Sequence, residues 1–566
     1  MRPMRALLWI LLSVVATAIG VAQTINDTRL IRETVVGSGL SRPIMIAWLD
    51  PANPNDFFVL EKTQGSNPVV GRVRRVTNGV VSAPLLTIPV SSQNWEHGLL
   101  GIELHPNFRE NGYVYLYYTE PASDNPSLAQ RARLVRYRFN GTAFVDPTDI
   151  WTVPIVVRDH QIHFGGVNRF GPDGKLYIVI GDTNNLSPSA IETNRTMSRV
   201  LGAAGIYRLN PDGTIPEDNP FYSYSDSRLK ALYAYGIRNS FGLAFDALTG
   251  HLWFTENGPR VYDEVNLAMP GFNSGWLRIM GPDSRDARYG ENGNYPYNVE
   301  HLVMLQNAYY GDPRFSWGTT IGVAAICFLR SARFDADLRD QCVIGESVNN
   351  LLYLFQMNTS RNGFRFTDSR LRDLVADSVE ERELNAWGSG WGVVSDLKIG
   401  PDGYLYVVSH LANRIHRIRP VNPPEILNGK VSLAGYQGRL LNQPLRLTLR
   451  QGSQTHTIAT RLDAYGQFSE RVPGSGVYDV SVKVGNYLSV RRNSVQISPQ
   501  GFAYLELTLD RAGDVNGDDV IDDADLLQVL FDFGTSASGA DVNGDGVVDD
   551  ADLLVVLFNF GAAGEG

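Results

Sequence analysis

Two stretches of the chain share one pattern: Phe170-Gly171-Pro172-Asp173-Gly174-Lys175-Leu176-Tyr177-Ile178 and Ile399-Gly400-Pro401-Asp402-Gly403-Tyr404-Leu405-Tyr406-Val407. Each sets an apolar residue before a Pro-Asp-Gly turn and an apolar, aromatic run after it. Proline fixes φ early in the turn and glycine takes the positive φ that closes it. The residues that follow favour extended strands. Looser copies run from Trp48-Leu49-Asp50 to Phe57-Phe58-Val59-Leu60, and from Leu104-His105-Pro106 to Tyr113-Val114-Tyr115-Leu116-Tyr117. Two more run from Phe245-Asp246 to Gly250-His251-Leu252-Trp253-Phe254, and from Phe334-Asp335 to Cys342-Val343-Ile344. Several copies have a later closing strand, such as Leu134-Val135-Arg136-Tyr137, Gly205-Ile206-Tyr207-Arg208 or Arg414-Ile415-His416-Arg417-Ile418. Six short β-units predict a mostly β chain with a six-bladed β-propeller over residues 30–420. A lone sandwich or barrel explains one or two such hairpins, not six.

Composition sets the outer limits. The chain has 566 residues, more than one core accommodates. Hydrophobic residues make up 43% and charged residues 19%, a globular balance. The 55 glycines suit a fold with many tight turns. Net charge is −10 with no long Lys/Arg run, which excludes a nucleic-acid footprint. Residues 1–22 read as a secretory signal peptide: two early arginines, an apolar run over 6–18, then Gly20-Val21-Ala22. The mature chain is therefore expected outside the cytoplasm, with no later membrane span. Cys327 and Cys342 are the two cysteines. A disulfide between neighbouring strands and a pair of buried free thiols both fit them.

Residues 421–425 read as a linker. From 426 to 510 the pattern alternates, as in Leu445-Arg446-Leu447-Thr448-Leu449 and Val477-Tyr478-Asp479-Val480-Ser481-Val482, which predicts half-buried strands. The segment resembles a carboxypeptidase-regulatory-like β-sandwich and carries no catalytic constellation. It is read as a spacer or a weak carbohydrate-binding module.

The tail, 511–562, is a duplication. Asp514, Asn516, Asp518, Asp522 and Asp525 fall at positions 1, 3, 5, 9 and 12 of one loop, with the Val520 carbonyl at position 7. Asp541, Asn543, Asp545, Asp549 and Asp552, with Val547, repeat the register. Calcium takes six to eight oxygens from a flexible loop of this kind. One short apolar helix follows each loop. The pattern resembles type I dockerins, which implies calcium binding and a cohesin-like or cell-surface partner. The Lys-Arg pair of that family's helices is replaced here by Val529-Leu530 and Val556-Leu557.

A third set of motifs carries chemistry: His163-Phe164-Gly165-Gly166, Gly181-Asp182, Gly236-Ile237-Arg238-Asn239 and Glu256-Asn257-Gly258-Pro259. Asp263-Glu264-Val265-Asn266, Gly271-Phe272-Asn273-Ser274-Gly275-Trp276, Gly98-Leu99-Leu100-Gly101 and His105-Pro106 accompany them. Together they resemble the glucose/sorbosone dehydrogenase family, soluble quinoproteins that use pyrroloquinoline quinone. The resemblance implies His163 as general base and Asp182 as the carboxylate that orients it. It implies cofactor contacts from Arg238, Asn239, Asn257 and Asp263. The backbone carbonyls of Gly258 and Pro259 would seat a calcium ion that polarises the quinone. One departure stands out: Gly392-Val393-Val394-Ser395-Asp396-Leu397-Lys398 has no arginine where the family clamps the cofactor's carboxylates. Two functions follow. One is a secreted dehydrogenase that oxidises a small-molecule sugar. The other is an extracellular binding propeller that has lost the cofactor.

Overall fold

The computed structural model describes residues 23–66, 68–156, 160–184, 191–195, 200–285, 298–536 and 539–566. The signal segment 1–22 lies outside them. The chain is mostly β, with few and short helices.

Residues 24–420 form six sheets in a propeller-like arrangement. Pro43–Trp48, Leu99–Leu104, Asn168–Phe170, Gly242–Asp246, Val323–Phe328 and Val394–Ile399 each open one sheet's run of antiparallel strands. The last sheet is completed from the start of the chain: Leu30–Val36 pairs antiparallel with Arg414–Pro420. Thr24–Ile25 likewise pairs with Ala386–Ser389. These pairings join the two ends of the region, so the sheets close on one another without a free start.

The Pro-Asp-Gly turns work as the sequence predicts, with an addition. Gly174 and Gly403 take φ of +71° and +78°. The Asp173 carboxylate accepts from the Lys175 amide at 3.1 Å and the Tyr177 hydroxyl at 2.9 Å. It also accepts from Arg208 Nε of the next strand at 2.9 Å. Asp402 repeats the device with the Tyr404 amide, Tyr406 and Arg417 at 3.3, 3.0 and 3.0 Å. One carboxylate thus ties three strands of its sheet. Cys327 and Cys342 are buried free thiols on paired strands, so the disulfide alternative is not taken up.

The β-rich segment from Ile426 forms a three-stranded and a four-stranded sheet. It packs on the face of the propeller-like region that carries the turns. Ala464 donates its amide to Ala247 O at 2.8 Å, and half-buried Tyr465 donates its hydroxyl to Phe170 O at 3.1 Å. Arg471 Nε reaches Ala332 O at 2.8 Å. The five residues read as a linker are pinned: Val421 donates to Arg29 O, Gln500 to the Glu425 carboxylate, and Arg333 to Pro424 O. The segment is therefore docked rather than strung.

The tail has the two expected helices, Asp523–Phe531 and Asp550–Phe558, each capped by an aspartate, Asp522 or Asp549. Its core is not its own. Ile521, Val529, Val542, Val548 and Val556 are buried in one cluster with sandwich residues such as Leu447, Val480 and Leu507. Burial of those apolar side chains holds the tail to the sandwich. No helix among the described residues is long and apolar enough to cross a membrane.

Candidate functional site

The site lies at the end of the propeller-like region opposite the docked sandwich, where loops enter the opening strands. His163 sits on the loop before Asn168–Phe170, and Asp182 follows the strand Leu176–Ile180. Both are buried, His163 at 5% exposure. His163 Nδ1 lies 2.6 Å from Asp182 Oδ1. Burial works against the Asp182 carboxylate, yet His163 and Arg238 hold it below its ordinary value. An ionised carboxylate only accepts, so His163 donates from Nδ1 and its Nε2 remains for chemistry. The second oxygen, Asp182 Oδ2, accepts from Trp276 Nε1 at 2.8 Å. The Asn184 amide adds a third bond at 2.7 Å. Asp182 is thereby held against the His163 ring by three donors.

The backbone is shaped to allow this. His163 has φ +66°, rare for a side-chain-bearing residue and common at functional sites. Gly181 lies where a Cβ would stand 2.3 Å from His163 O and 2.7 Å from Arg238 O. Only glycine lets the three segments meet. The Asp182 amide then donates to Arg238 O at 2.8 Å.

Arg238 extends beside them. Its guanidinium lies over Trp276, 5.3 Å from the ring centroid. Nη1 donates to Asn257 O at 2.9 Å and Gly258 O at 3.1 Å, while Nε is buried without a partner. Asn239 donates to the Glu96 carboxylate at 3.3 Å, and its Oδ1 is likewise buried and unpartnered. Two orphaned polar atoms on consecutive residues are open to a polar ligand that would complete their bonding.

The remaining sequence candidates divide. Gly258 and Pro259 are half-buried in the loop after His251–Glu256, but Gly258 O is already engaged by Arg238. Asn257 Nδ2 holds Val323 O at 2.8 Å, a link between neighbouring sheets. Asp263 does not open toward the cleft. Its oxygens accept from four backbone amides, Gly258, Ile321, Gly322 and Val323, at 2.7–3.2 Å. It shapes the loop that carries Gly258.

Sequence reasoning missed three participants. Glu96, two residues before the quoted Gly-Leu-Leu-Gly run, accepts from the His163 amide. Trp276 lay inside a quoted motif with no role attached. Lys62, a buried cation in the strand Asp56–Gln64, has Glu96 and Arg42 in its field. Burial pulls its ammonium down to about 8 against the opposing pull of Glu96, and Arg42 adds to the fall.

A family model described as glucose/sorbosone dehydrogenase matches residues 41–417. The chain belongs to the glucose/sorbosone dehydrogenase family. An uncharacterized protein of Synechocystis sp., slr1608, is 35% identical over 409 residues, 68% of this chain and 85% of that protein. Quinoprotein glucose dehydrogenase B of Acinetobacter calcoaceticus is 31% identical over 283 residues, 46% of this chain and 54% of that protein. The apo crystal structure of the soluble aldose sugar dehydrogenase of Escherichia coli matches with a TM-score of 0.52 at 22% identity. It covers 69% of this chain and 99% of that one, a likeness of fold.

In this family member the tail loops hold their ten acidic and amide side chains in matching registers. The position-1 carboxylates, Asp514 and Asp541, each accept backbone amides from their own loop. The position-12 carboxylates, Asp525 and Asp552, are fully buried and do the same. Asn516, Asp518, Asn543 and Asp545 bond pairwise, and Val520 and Val547 accept nothing from them but donate their amides to Asp518 and Asp545. Among the described residues no three such side chains converge on a metal position. The first loop alone is tied to the sandwich by charge: Lys483 forms a buried ion pair with Asp514, and Asp519, where the second loop has Gly546, accepts from the Ser489 amide at 2.8 Å.

Gly181→Ala is expected to cost about 2 kcal/mol or more in urea unfolding, because the added methyl meets two backbone carbonyls. Gly174→Ala, with positive φ but open space, is expected to cost about 1 kcal/mol. Equal losses at the two positions would contradict the packing account.

Proposed function

We propose that the chain is a quinoprotein-type sugar dehydrogenase that oxidises an aldose, its six sheets forming six propeller blades. The observation that carries this reading is the 2.6 Å His163–Asp182 contact beside the orphaned Arg238 Nε and Asn239 Oδ1. The names of the relatives support it.

In its neutral form His163 takes the proton of the anomeric hydroxyl at Nε2, while Asp182 holds the ring and stabilises the imidazolium that results. Trp276 and the Asn184 amide keep Asp182 from turning away. Pyrroloquinoline quinone, when bound, supplies the hydride acceptor. Arg238 and Asn239 would hold it with the atoms they leave unpaired. Lys62, whose ammonium lies in the field of the Glu96 carboxylate, would supply positive charge that residues 393 and 395 do not. Gly258 O would seat calcium only in competition with Arg238.

The tail loops are read as calcium sites in a dockerin-like unit. A cohesin-like or cell-surface partner would meet the exposed helix faces at Phe531 and Phe558, both 84% exposed. Export is read from residues 1–22.

Dye reduction by quinone- and calcium-loaded protein with a panel of aldoses tests the enzyme reading. His163→Ala is expected to lower turnover by about a hundredfold or more while cofactor binding persists. No activity and no thermal stabilisation by the quinone would return the chain to the binding-propeller alternative.

Lys62 sets a pH dependence. Its charge is present below about 8 and is lost as pH rises through that value, so quinone-induced thermal stabilisation should decline above about pH 8. Lys62→Arg should carry it to higher pH. A profile that stays flat in the native chain removes Lys62 from the cofactor's field.

For the tail, Lys483 already neutralises Asp514, whereas no Lys or Arg pairs with Asp541 among the described residues. Calcium should raise the melting temperature of the full chain, and Asp541→Asn should reduce that gain more than Asp514→Asn. A gain untouched by either variant would exclude both loops.

A further inference from the structure

Lys483, in the sandwich strand Gly476–Val484, is 7% exposed, and Asp514 of the first tail loop is wholly buried. The Lys483 ammonium is seated directly on Asp514 Oδ2. Val482, Val484 and Ala512, beside them in sequence, belong to the apolar cluster that sandwich and tail share. Each partner is also held from behind. Lys483 Nζ donates to Tyr487 O at 3.0 Å. Asp514 Oδ1 accepts from the Gly517 amide at 2.8 Å, and Oδ2 from the Asp519 amide at 2.9 Å. A third group stands next to the pair: Asp519 Oδ1 lies 3.8 Å from Lys483 Nζ. The Ser489 amide and hydroxyl fix that second carboxylate at 2.8 and 2.5 Å.

The duplication supplies an internal control. The second loop has Gly546 at the place of Asp519, and no Lys or Arg pairs with Asp541 among the described residues. Asp519 takes φ +73° at a position where its counterpart uses glycine. The three-residue arrangement is therefore an addition to one loop, not a requirement of the loop's shape. As an ion pair alone it is a poor stabiliser, because desolvating both charges costs free energy that their attraction only partly returns. A desolvated lysine held against a fixed acyl carbon is instead arranged as a nucleophile.

We propose that Lys483 and Asp514 condense to an isopeptide bond that joins the tail covalently to the sandwich, with Asp519 carrying the proton. The Lys483 ammonium gives one proton to Asp519, and Nζ attacks Asp514 Cγ. The C–N bond forms and one C–O bond breaks. The departing oxygen takes the proton from Asp519 and a second from the nitrogen, and leaves as water. An ammonium and a carboxylate become an amide and one water; nothing is oxidised or reduced and no co-reactant is consumed. The link spans 31 positions and constrains the unfolded chain as a disulfide would, in a protein whose two cysteines stay free.

Trypsin digestion and mass spectrometry of the full chain, purified in calcium and in chelator and then denatured, read the bond. Trypsin does not cut at a lysine held in an amide. Peptides 472–491 and 512–566 should therefore appear joined, one water lighter than their sum. Lys483→Arg keeps the charge but cannot form the amide, and should release 472–483 and 512–566 separately. Asp519→Asn keeps both reactants and should lower the linked fraction by about tenfold or more. Circular dichroism confirms that each variant is folded. Free cleavage at Lys483 in the native chain under both conditions leaves a buried ion pair and overturns the proposal. A joined species that persists in Lys483→Arg, or that fragments at another pair of residues, does the same.

Discussion

The site depends on one place where three backbones touch. Gly181 packs against His163 O and Arg238 O at distances no Cβ tolerates. Because that contact exists, Asp182 arrives beside the His163 ring, and the Arg238 side chain starts from the same point. Sheets in a ring bring their strand ends toward one axis, and glycine lets them approach to carbonyl contact. Gly101 against Gly166 O and Gly242 against Ala324 O repeat the solution between other pairs of sheets. The constraint is steric before it is chemical, and the placement of His163, Asp182 and Arg238 inherits it.

Much of the fold was legible because its signals are local. A Pro-Asp-Gly turn states its own conformation, and the strand after it follows from aromatic and β-branched residues. The arginine that completes the turn was not legible: Arg208 lies 35 residues from Asp173 in the chain. The same holds at the site. His163 and Asp182 stood in motifs 19 residues apart and were readable together. Glu96 reaches His163 across 67 residues, and no pattern in the intervening sequence announces it. Asp263 shows the reverse case. Its motif was visible, but only the three-dimensional run of amides at 321–323 reveals that it braces a loop. The docking of the sandwich likewise depends on pairs such as Tyr465 and Phe170, 295 residues apart.

Charge at the site is balanced rather than one-sided. Asp182 has Arg238 in its field and Glu96 has Lys62, and that buried cation is held at a low proton affinity by its own desolvation. A buried carboxylate costs free energy unless it has donors. Glu96 has them in the His163 amide and Asn239 Nδ2.

The order of packing gives the molecule a polarity. The tail shares its core with the sandwich, the sandwich is bonded to the turn side of the propeller-like region, and His163 opens on the other side. None of the junctions is a swivel: 421–425 is tied down and Lys483 clasps the first loop of the tail. Force or restraint applied at the C-terminal end is therefore passed along a stiff stack. A surface that met the two exposed phenylalanines would stand the molecule upright, with the His163 end farthest from that contact.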